Sequence, residues 1–365
     1  MNLSRLRVAV IGVGHLGKEH ARILAGMADV ELVGVADVNG EQAQAVARRL
    51  GTQAFTDYWP LLNLVDAASI VVPTMHHKAV AAEFLRRHIP LLVEKPLAAN
   101  HAHSRALVEL AGQNDTILQV GHIERFNPAF EELQRRPLQP KFVTCERFGP
   151  FSGRSTDIGV VLDLMIHDLD LLLALVKSPV AAVEALGISL FGRNEDVANA
   201  RLLFANGCVA QLSASRASPT PLRRMQVWAS EGFASIDFSK RRLSLVQPSA
   251  ELRRHGLDPA KLDPASRARL KDELFGRHLE TLHIDGHAHD QLTCELQHFV
   301  HCVRQGVTPR VSGSDGLAAV NLAERILDDI RTHSWDGRAG GPTGPSQLPP
   351  PLAALFPQCQ QEEAA

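Results

Sequence analysis

Neither sign of charge prevails in this chain. Lysine and arginine number 38 against 40 aspartates and glutamates, for a formal net charge of -2. No overall basic field is available to hold a polyanion by counterion release, so nucleic acid is not expected as a partner. Paired cysteines are also missing. Cys145, Cys208, Cys294, Cys302 and Cys359 are odd in number and form no Cys-x-x-Cys, which argues against a disulfide framework or zinc knuckle and fits core thiols in a reducing compartment. A membrane span needs about 20 consecutive apolar residues, and the longest apolar stretches here are broken by His15, Lys18 or Asp163. Val8 to Gly14 reads as a strand with no small-residue cleavage site after it, so no secretory leader is expected. What is present is ample: 365 residues, 45% hydrophobic and 21% charged, predict a soluble cytoplasmic protein of one large or two medium domains with no membrane partner.

The first 120 or so residues alternate β-branched runs with amphipathic segments, the pattern of βαβ units on a parallel sheet. Strands are predicted at Arg7 to Ile11, Glu31 to Ala36, Ser69 to Val72, Leu91 to Val93 and Ile117 to Val120, with helices at Leu16 to Leu24, Glu41 to Leu50, Lys78 to Arg87 and His101 to Gln113. From about Lys141 strand-like runs follow one another directly, which predicts a mainly antiparallel sheet with one helix, Gly159 to Val176, inserted early. Ala250 to Phe275 is poor in large apolar side chains and reads as a helical or mobile excursion. Gln291 to Arg304 and Ser314 to Arg331 resume helical periodicity, the second capped by Ser314 or Asp315. The predicted organisation is an α/β doubly wound domain over residues 1–122, an α+β domain with an open-faced, mainly antiparallel sheet over 123–335 whose last helices pack back on the first domain, and a Gly- and Pro-rich disordered tail over 336–365.

Gly12-Val13-Gly14-His15-Leu16-Gly17 follows the first strand and opens the first helix. A lone Gly-x-Gly-x-x-Gly is weak, but this context gives each glycine a task. Gly12 makes the tight turn, Gly14 admits a pyrophosphate close to the backbone, and Gly17 lets helix pack on strand while the helix N-terminus meets the anion. Asp37 ends the second strand about 20 residues later, where a carboxylate hydrogen-bonds the adenosine ribose 2'-hydroxyl and repels a 2'-phosphate. A Rossmann domain that prefers NAD to NADP is predicted.

Val71-Val72-Pro73-Thr74-Met75-His76-His77 and Val93-Glu94-Lys95-Pro96-Leu97 fall where strands of such a sheet end, and Asp163-Leu164-Met165-Ile166-His167-Asp168-Leu169-Asp170 follows some seventy residues later. With the glycine fingerprint, these segments resemble the Gfo/Idh/MocA oxidoreductases over roughly residues 5 to 332. The resemblance implies NAD-dependent oxidation or reduction of a sugar or cyclitol carbon, an assembly of two or four copies, and Pro73, Thr74, His77, Glu94 and Lys95 beside the cofactor with His15 and Leu16 of the turn. Thr74 stands where many members carry asparagine. Within the family, Val120 to Pro128 and Leu162 to Asp170 are similar to the UDP-N-acetylglucosamine 3-dehydrogenases, which make a 3-keto nucleotide sugar for a partner aminotransferase in lipid A precursor synthesis.

Oxidising a secondary alcohol requires a base within reach of the hydroxyl proton as hydride leaves the carbon. At 100° per residue, Asp163, His167 and Asp170 fall on one stripe of an otherwise apolar helix, and a polar stripe on a buried helix must be paired or line a cavity. The resemblance and the imidazole's near-neutral pKa make His167 the base, Lys95 its partner at the reacting oxygen, and Asp163 a positioning group for His167 or for a substrate hydroxyl. A diphosphate would need arginine forks. Arg125, Arg147, Arg154, Arg216 and Arg224 are candidates, with Arg125 and Arg154 foremost because they lie in or near the two narrower segments. His283, His287 and His289 lack a carboxylate framework at ligand spacing, so no metal is expected. A cyclitol or free-sugar dehydrogenase is the alternative enzyme; a non-catalytic ligand sensor is disfavoured by the intact Lys95 and His167.

Overall fold

The computed structural model describes residues 5–151, 153, 157–191, 194–286, 290–336, 338 and 341–347. The chain begins with strand β1 (Leu6–Ile11), helix α1 (Gly17–Ala25), β2 (Val30–Ala36), α2 (Gly40–Leu50), β3 (Gln53–Phe55), β4 (Ala67–Ile70), α3 (His77–Leu85), β5 (Leu91–Glu94), α4 (His101–Gln113) and β6 (Leu118–Gly121). These strands form one parallel sheet in the order β3-β2-β1-β4-β5-β6. Ala9 and Ile11 pack into one apolar cluster while Val8 and Val10 pack into another, so β1 is apolar at every step from Val8 on because both its faces are covered there. The strand order reverses between β1 and β4, and the loops that leave them part to open a crevice at the carboxyl ends of the strands.

β4 is displaced from the predicted Ser69 to Val72: it ends at Ile70, although Val71 still donates its N–H to the Ile11 carbonyl at 2.7 Å. Pro73, which lacks an N–H, ends the ladder there. The short edge strand β3 carries no readable sequence signal because only three residues pair.

After α5 (Pro128–Gln134) the second sheet runs through β7 (Phe142–Pro150), β8 (Val180–Ser189), β9 (Val197–Phe204), β10 (Val209–Ser215), β11 (Ala217–Ala229), β12 (Gly232–Asp237), β13 (Arg242–Pro248) and β14 (Leu279–Asp285). Between β7 and β8 lies the inserted helix, which begins as a π turn over Val161–Met165 and continues as α6 (Ile166–Val176). The pairing is antiparallel except between β10 and β7 and at the far edge. One face is covered by α5, α6 and the last helix, whose Phe130, Leu172 and Ile326 share a core with Val143, Leu212 and Ile236 of the sheet. β9 alternates buried with exposed residues along its length, so the other face is open.

α9 (Gln291–Gln305) returns to the first sheet, where Leu292, Leu296, Phe299 and Val300 complete the cluster around Val8 and Val10. α10 (Gly313–Thr332) lies between α4 and α6. Its cap differs from the expected Ser314 or Asp315. Ser312 accepts the Asp315 N–H while the Asp315 carboxylate accepts the Ser312 N–H, a capping box two residues further upstream. The excursion contains α7 (Ala250–His255) and α8 (Pro264–Glu273), neither with a buried residue.

The tail departs from expectation. Thr343 bridges to Ser334, the Trp335 indole donates to the Gly344 carbonyl at 2.8 Å, and β15 (Ser346–Gln347) adds a parallel strand beside β8. Composition does not reveal this because, apart from the Trp335 indole, the docking uses backbone groups and a sheet edge, which any sequence supplies. Residues 348–365, with Cys359, lie outside the described residues. The other four cysteines are free thiols, and no helix among the described residues is long and apolar enough to cross a membrane.

Candidate active site

Gly12 leaves β1 with φ +87°, in the left-handed region, and a Cβ there would stand 2.5 Å from the Val71 carbonyl oxygen. A Cβ on Gly17 would stand 1.9 Å from the Gly12 oxygen, whereas around Gly14 nothing lies within 4 Å. Gly12 and Gly17 are therefore fixed by packing, and Gly14 by the space it leaves for a ligand. The N–H groups of Gly14, His15 and Leu16 have no partner among the described residues. They border a cavity of about 1450 Å³ together with Asp37, Pro73 and Thr74. The Asp37 carboxylate is set at the end of β2 by the N–H groups of Val13 (2.8 Å) and Asn39 (2.9 Å). Gln42, unforeseen in the sequence, braces the same turn by donating to the Val13 carbonyl at 2.7 Å. Tyr58 and Trp59, stacked with centroids 5.2 Å apart, close that end of the cavity. Free N–H groups, open space at Gly14 and an oriented carboxylate fit a dinucleotide of the NAD type.

Further along the cavity, Lys95 leaves the end of β5 and donates from Nζ to the Asp163 carbonyl at 2.7 Å and to its carboxylate at 3.0 Å. Asp163 thus holds the ammonium rather than His167. The helix begins as a π turn over Val161–Met165, and two of the three residues of the expected stripe face the cavity. Asp163 and His167 border the cavity, while Asp170 is turned inward and 1% exposed.

The His167 ring is held well below its ordinary pKa, first by burial and then by the charges of Lys95 and Arg147. It is a neutral imidazole with a free lone pair at neutral pH. His122 packs edge-on against it at 6.4 Å, buried, with neither ring nitrogen hydrogen-bonded. It stands within Val120 to Pro128, but nothing in the local pattern of that segment marks it as a neighbour of His167.

Glu94 borders the cavity but is turned toward His20, 3.2 Å away and outside hydrogen-bond geometry, whose other ring nitrogen meets Ser69 Oγ at 2.9 Å. Burial pushes the Glu94 carboxyl up, and His20 with Lys95 outweighs burial to hold it below the usual carboxylate range. His77 borders the cavity, and both its ring nitrogens lie 2.9 Å from backbone carbonyls, of Pro96 and Val72, so the ring ties the ends of two strands together.

The arginines are sorted differently from expectation. Arg125, foremost for a diphosphate, is buried away from the cavity and bridges Asp170 (2.8 Å) and Asp315 (3.2 Å), a strut between α6 and α10. Arg154 lies outside the described residues. Arg147 borders the cavity but is committed to Glu124 and Asp168, both at 2.8 Å; burial pulls its guanidinium down, and these two carboxylates outweigh that and hold it above its ordinary value. Arg216 borders the cavity and is paired with Asp196 at 2.5 Å. Arg224 lies opposite Glu146 and pairs with it, off the cavity, whereas its neighbour Arg223 lies opposite Arg147 and borders the cavity. A period of two separates the arginine that borders the cavity from the one that does not.

Among the described residues no group of three or more His, Cys, Asp or Glu is placed to hold a metal. His283 lies on β14, an edge strand, and meets Ser244 Oγ at 2.9 Å; His287 and His289 lie outside the described residues.

Residues 6–122 match an oxidoreductase family with an NAD-binding Rossmann fold, and residues 139–235 match the C-terminal domain of the same GFO/IDH/MocA group. The chain is 40% identical over 246 residues to the UDP-N-acetylglucosamine 3-dehydrogenase of Acidithiobacillus ferrooxidans, covering 67% of this chain and 78% of that one. A solved structure of that enzyme superposes with a TM-score of 0.78 over 90% of this chain and 98% of that one, at 33% identity. The scyllo-inositol 2-dehydrogenase (NAD(+)) of Bacillus subtilis is 29% identical, covering 87% of this chain and 91% of its own.

Proposed function

Because the chain belongs to the Gfo/Idh/MocA family of NAD-binding oxidoreductases, we propose that it oxidises the C3 hydroxyl of a UDP-linked N-acetylhexosamine and releases a 3-keto nucleotide sugar. The observation that carries this reading is the neutral His167 and the Asp163-held Lys95 on one wall of a cavity that also contains the glycine turn. A cavity of about 1450 Å³ exceeds the roughly 300–1,000 Å³ usual for one ligand and suits two.

Gly14, His15 and Leu16 would hold the pyrophosphate of NAD by their backbone N–H groups and Asp37 would take its ribose hydroxyls, while Pro73 and Thr74, on the same cavity, would stand beside the nicotinamide half. NAD, when bound, supplies the hydride acceptor. His167 takes the hydroxyl proton; its burial among cations keeps it unprotonated and ready to accept. Lys95 donates a hydrogen bond to the reacting oxygen and steadies the negative charge that grows there as the proton leaves. Asp163 fixes the ammonium by two hydrogen bonds and so acts as a positioning residue. A 3-keto sugar is a ketone ready for transamination, so an aminotransferase is the proposed consumer of the product, on a route to lipid A precursors.

The test is kinetic. Lys95→Ala and His167→Ala are each expected to lower turnover by roughly 10²-fold or more, the size of a general acid-base contribution, with NAD affinity unchanged. Near-native turnover in His167→Ala would move the proton chemistry to another side chain. Native enzyme should oxidise UDP-N-acetylglucosamine far better than N-acetylglucosamine or myo-inositol. Equal efficiency with myo-inositol would favour the cyclitol reading that the Bacillus subtilis relative supports.

A further inference from the structure

Beyond Lys95 and His167 the cavity continues to a wall made by the end of β7 and the start of β11, where Phe148, Phe151, Arg216 and Arg223 border it. The construction begins at Asp196, fully buried. Its Oδ2 accepts the N–H groups of Leu190 (2.5 Å) and Phe191 (2.7 Å), and its Oδ1 takes Arg216 Nε at 2.5 Å. The Arg216 guanidinium, further tied to the Ile158 carbonyl at 3.1 Å, lies over the Phe151 ring at 4.7 Å. Phe151 in turn stacks on Phe191 with centroids 5.3 Å apart and planes 13° off parallel. Two large aromatic rings, 37% and 54% exposed, are thus mounted on a buried ion pair. Exposed apolar surface held so rigidly beside a cavity marks a binding surface.

Arg223 adds a charge to the same wall. It is directly opposite Arg147 across the β11/β7 pair, its side chain is 52% exposed, and it reaches Glu124 only at 4.0 Å, where Glu124 already serves Arg147 at 2.8 Å. Among the described residues, Arg147, Arg216 and Arg223 bring guanidiniums to this half of the cavity; the first two are engaged by buried carboxylates, and Arg223 has capacity for an incoming anion.

We propose that this wall is the nucleotide subsite: the pyrimidine base stacks on Phe151, backed by Phe191, and the Arg223 fork takes the diphosphate. The assignment rests on the nucleotide-sugar reading above and names the residues that would separate such a substrate from a free sugar or cyclitol. An aromatic face accepts the flat base while the planar fork matches phosphate oxygens in pairs.

UDP alone is the probe, since it lacks the sugar and tests the wall separately from the chemistry. Calorimetry should show UDP binding to the native protein, weakened roughly 5- to 100-fold in Phe151→Ala, the range for loss of one base-aromatic stack. Arg223→Ala should weaken it roughly tenfold or more, by loss of a charge-assisted phosphate contact, and Arg223→Lys should restore only part. The same variants should raise KM for UDP-N-acetylglucosamine and leave NAD affinity untouched. Arg224→Ala, one residue along and on the opposite face, should bind UDP as the native protein does. Phe151→Leu and thermal melting guard against a folding defect. Native-like UDP affinity in folded Phe151→Ala and Arg223→Ala, or no UDP binding by the native protein, would overturn the subsite. If UDP-N-acetylglucosamine is still oxidised selectively in that case, the dehydrogenase reading stands and the wall assignment alone falls. If UDP binds through Phe151 and Arg223 but free N-acetylglucosamine reacts as well, the wall stands and the substrate reading falls.

Discussion

On α9, Glu295 is fully buried with neither carboxyl oxygen hydrogen-bonded, beside Gln119, which donates to the Glu295 backbone carbonyl at 3.2 Å while its own Oε1 has no partner. Burial raises the Glu295 carboxyl well above the usual carboxylate range, and the charges of Glu94 and Asp170 push it further. The folded protein therefore keeps a proton that the unfolded chain releases above about pH 4.3. The folded state binds more protons, so stability falls as pH rises from there toward the raised value. Glu295→Gln removes the titration at nearly constant shape. It is expected to melt higher than the native protein at pH 8 and to lose most of that advantage near pH 4.5, read by thermal unfolding at both; an advantage independent of pH would show that Glu295 is not the titrating group. The family resemblance, with the helical spacing of Asp163 and His167, is enough to single out Lys95, Asp163 and His167 in the sequence. They do not reveal which arginine faces the cavity, because Arg125 has carboxylate partners distant in sequence and Arg223 differs from Arg224 only by the face of a strand.

Among elements, the longer helices and the parallel strands of the first sheet other than β3 can be read from the sequence with small shifts at their ends, since each carries its own periodicity and punctuation. The π turn, β14 and β15 cannot. A π turn keeps the composition of an α-helix, and strands that pair only at an edge need no apolar alternation. The case of β15 is measurable. Ending the chain after Gln347 should leave the melting temperature unchanged. Ending it after Thr332 removes the Trp335 bond to Gly344 and the pairing with β8, and should cost roughly 1–3 kcal/mol, as loss of a few partly buried hydrogen bonds does. Identical melting of the two truncations would show that the segment merely rests on the sheet.

For the whole molecule, the decisive feature is that α9 finishes the core of the first sheet and α10 packs on both α4 and α6. Two sheets that share their last helices are expected to unfold in one transition. NAD at about a hundred times its dissociation constant should stabilise that transition by ~2.7 kcal/mol. Two separate steps in calorimetry, only one of them moved by NAD, would show the sheets to be independent. The place of α9 also governs the order of events during synthesis. Val8, Val10 and Leu24 leave the ribosome early, yet Leu296 and Phe299, which cover them, are made nearly 300 residues later. At about 5–20 residues per second, the half-built dinucleotide domain must wait on the order of tens of seconds with one apolar face bare. The nascent chain is thus expected to need that face shielded long before it is an enzyme.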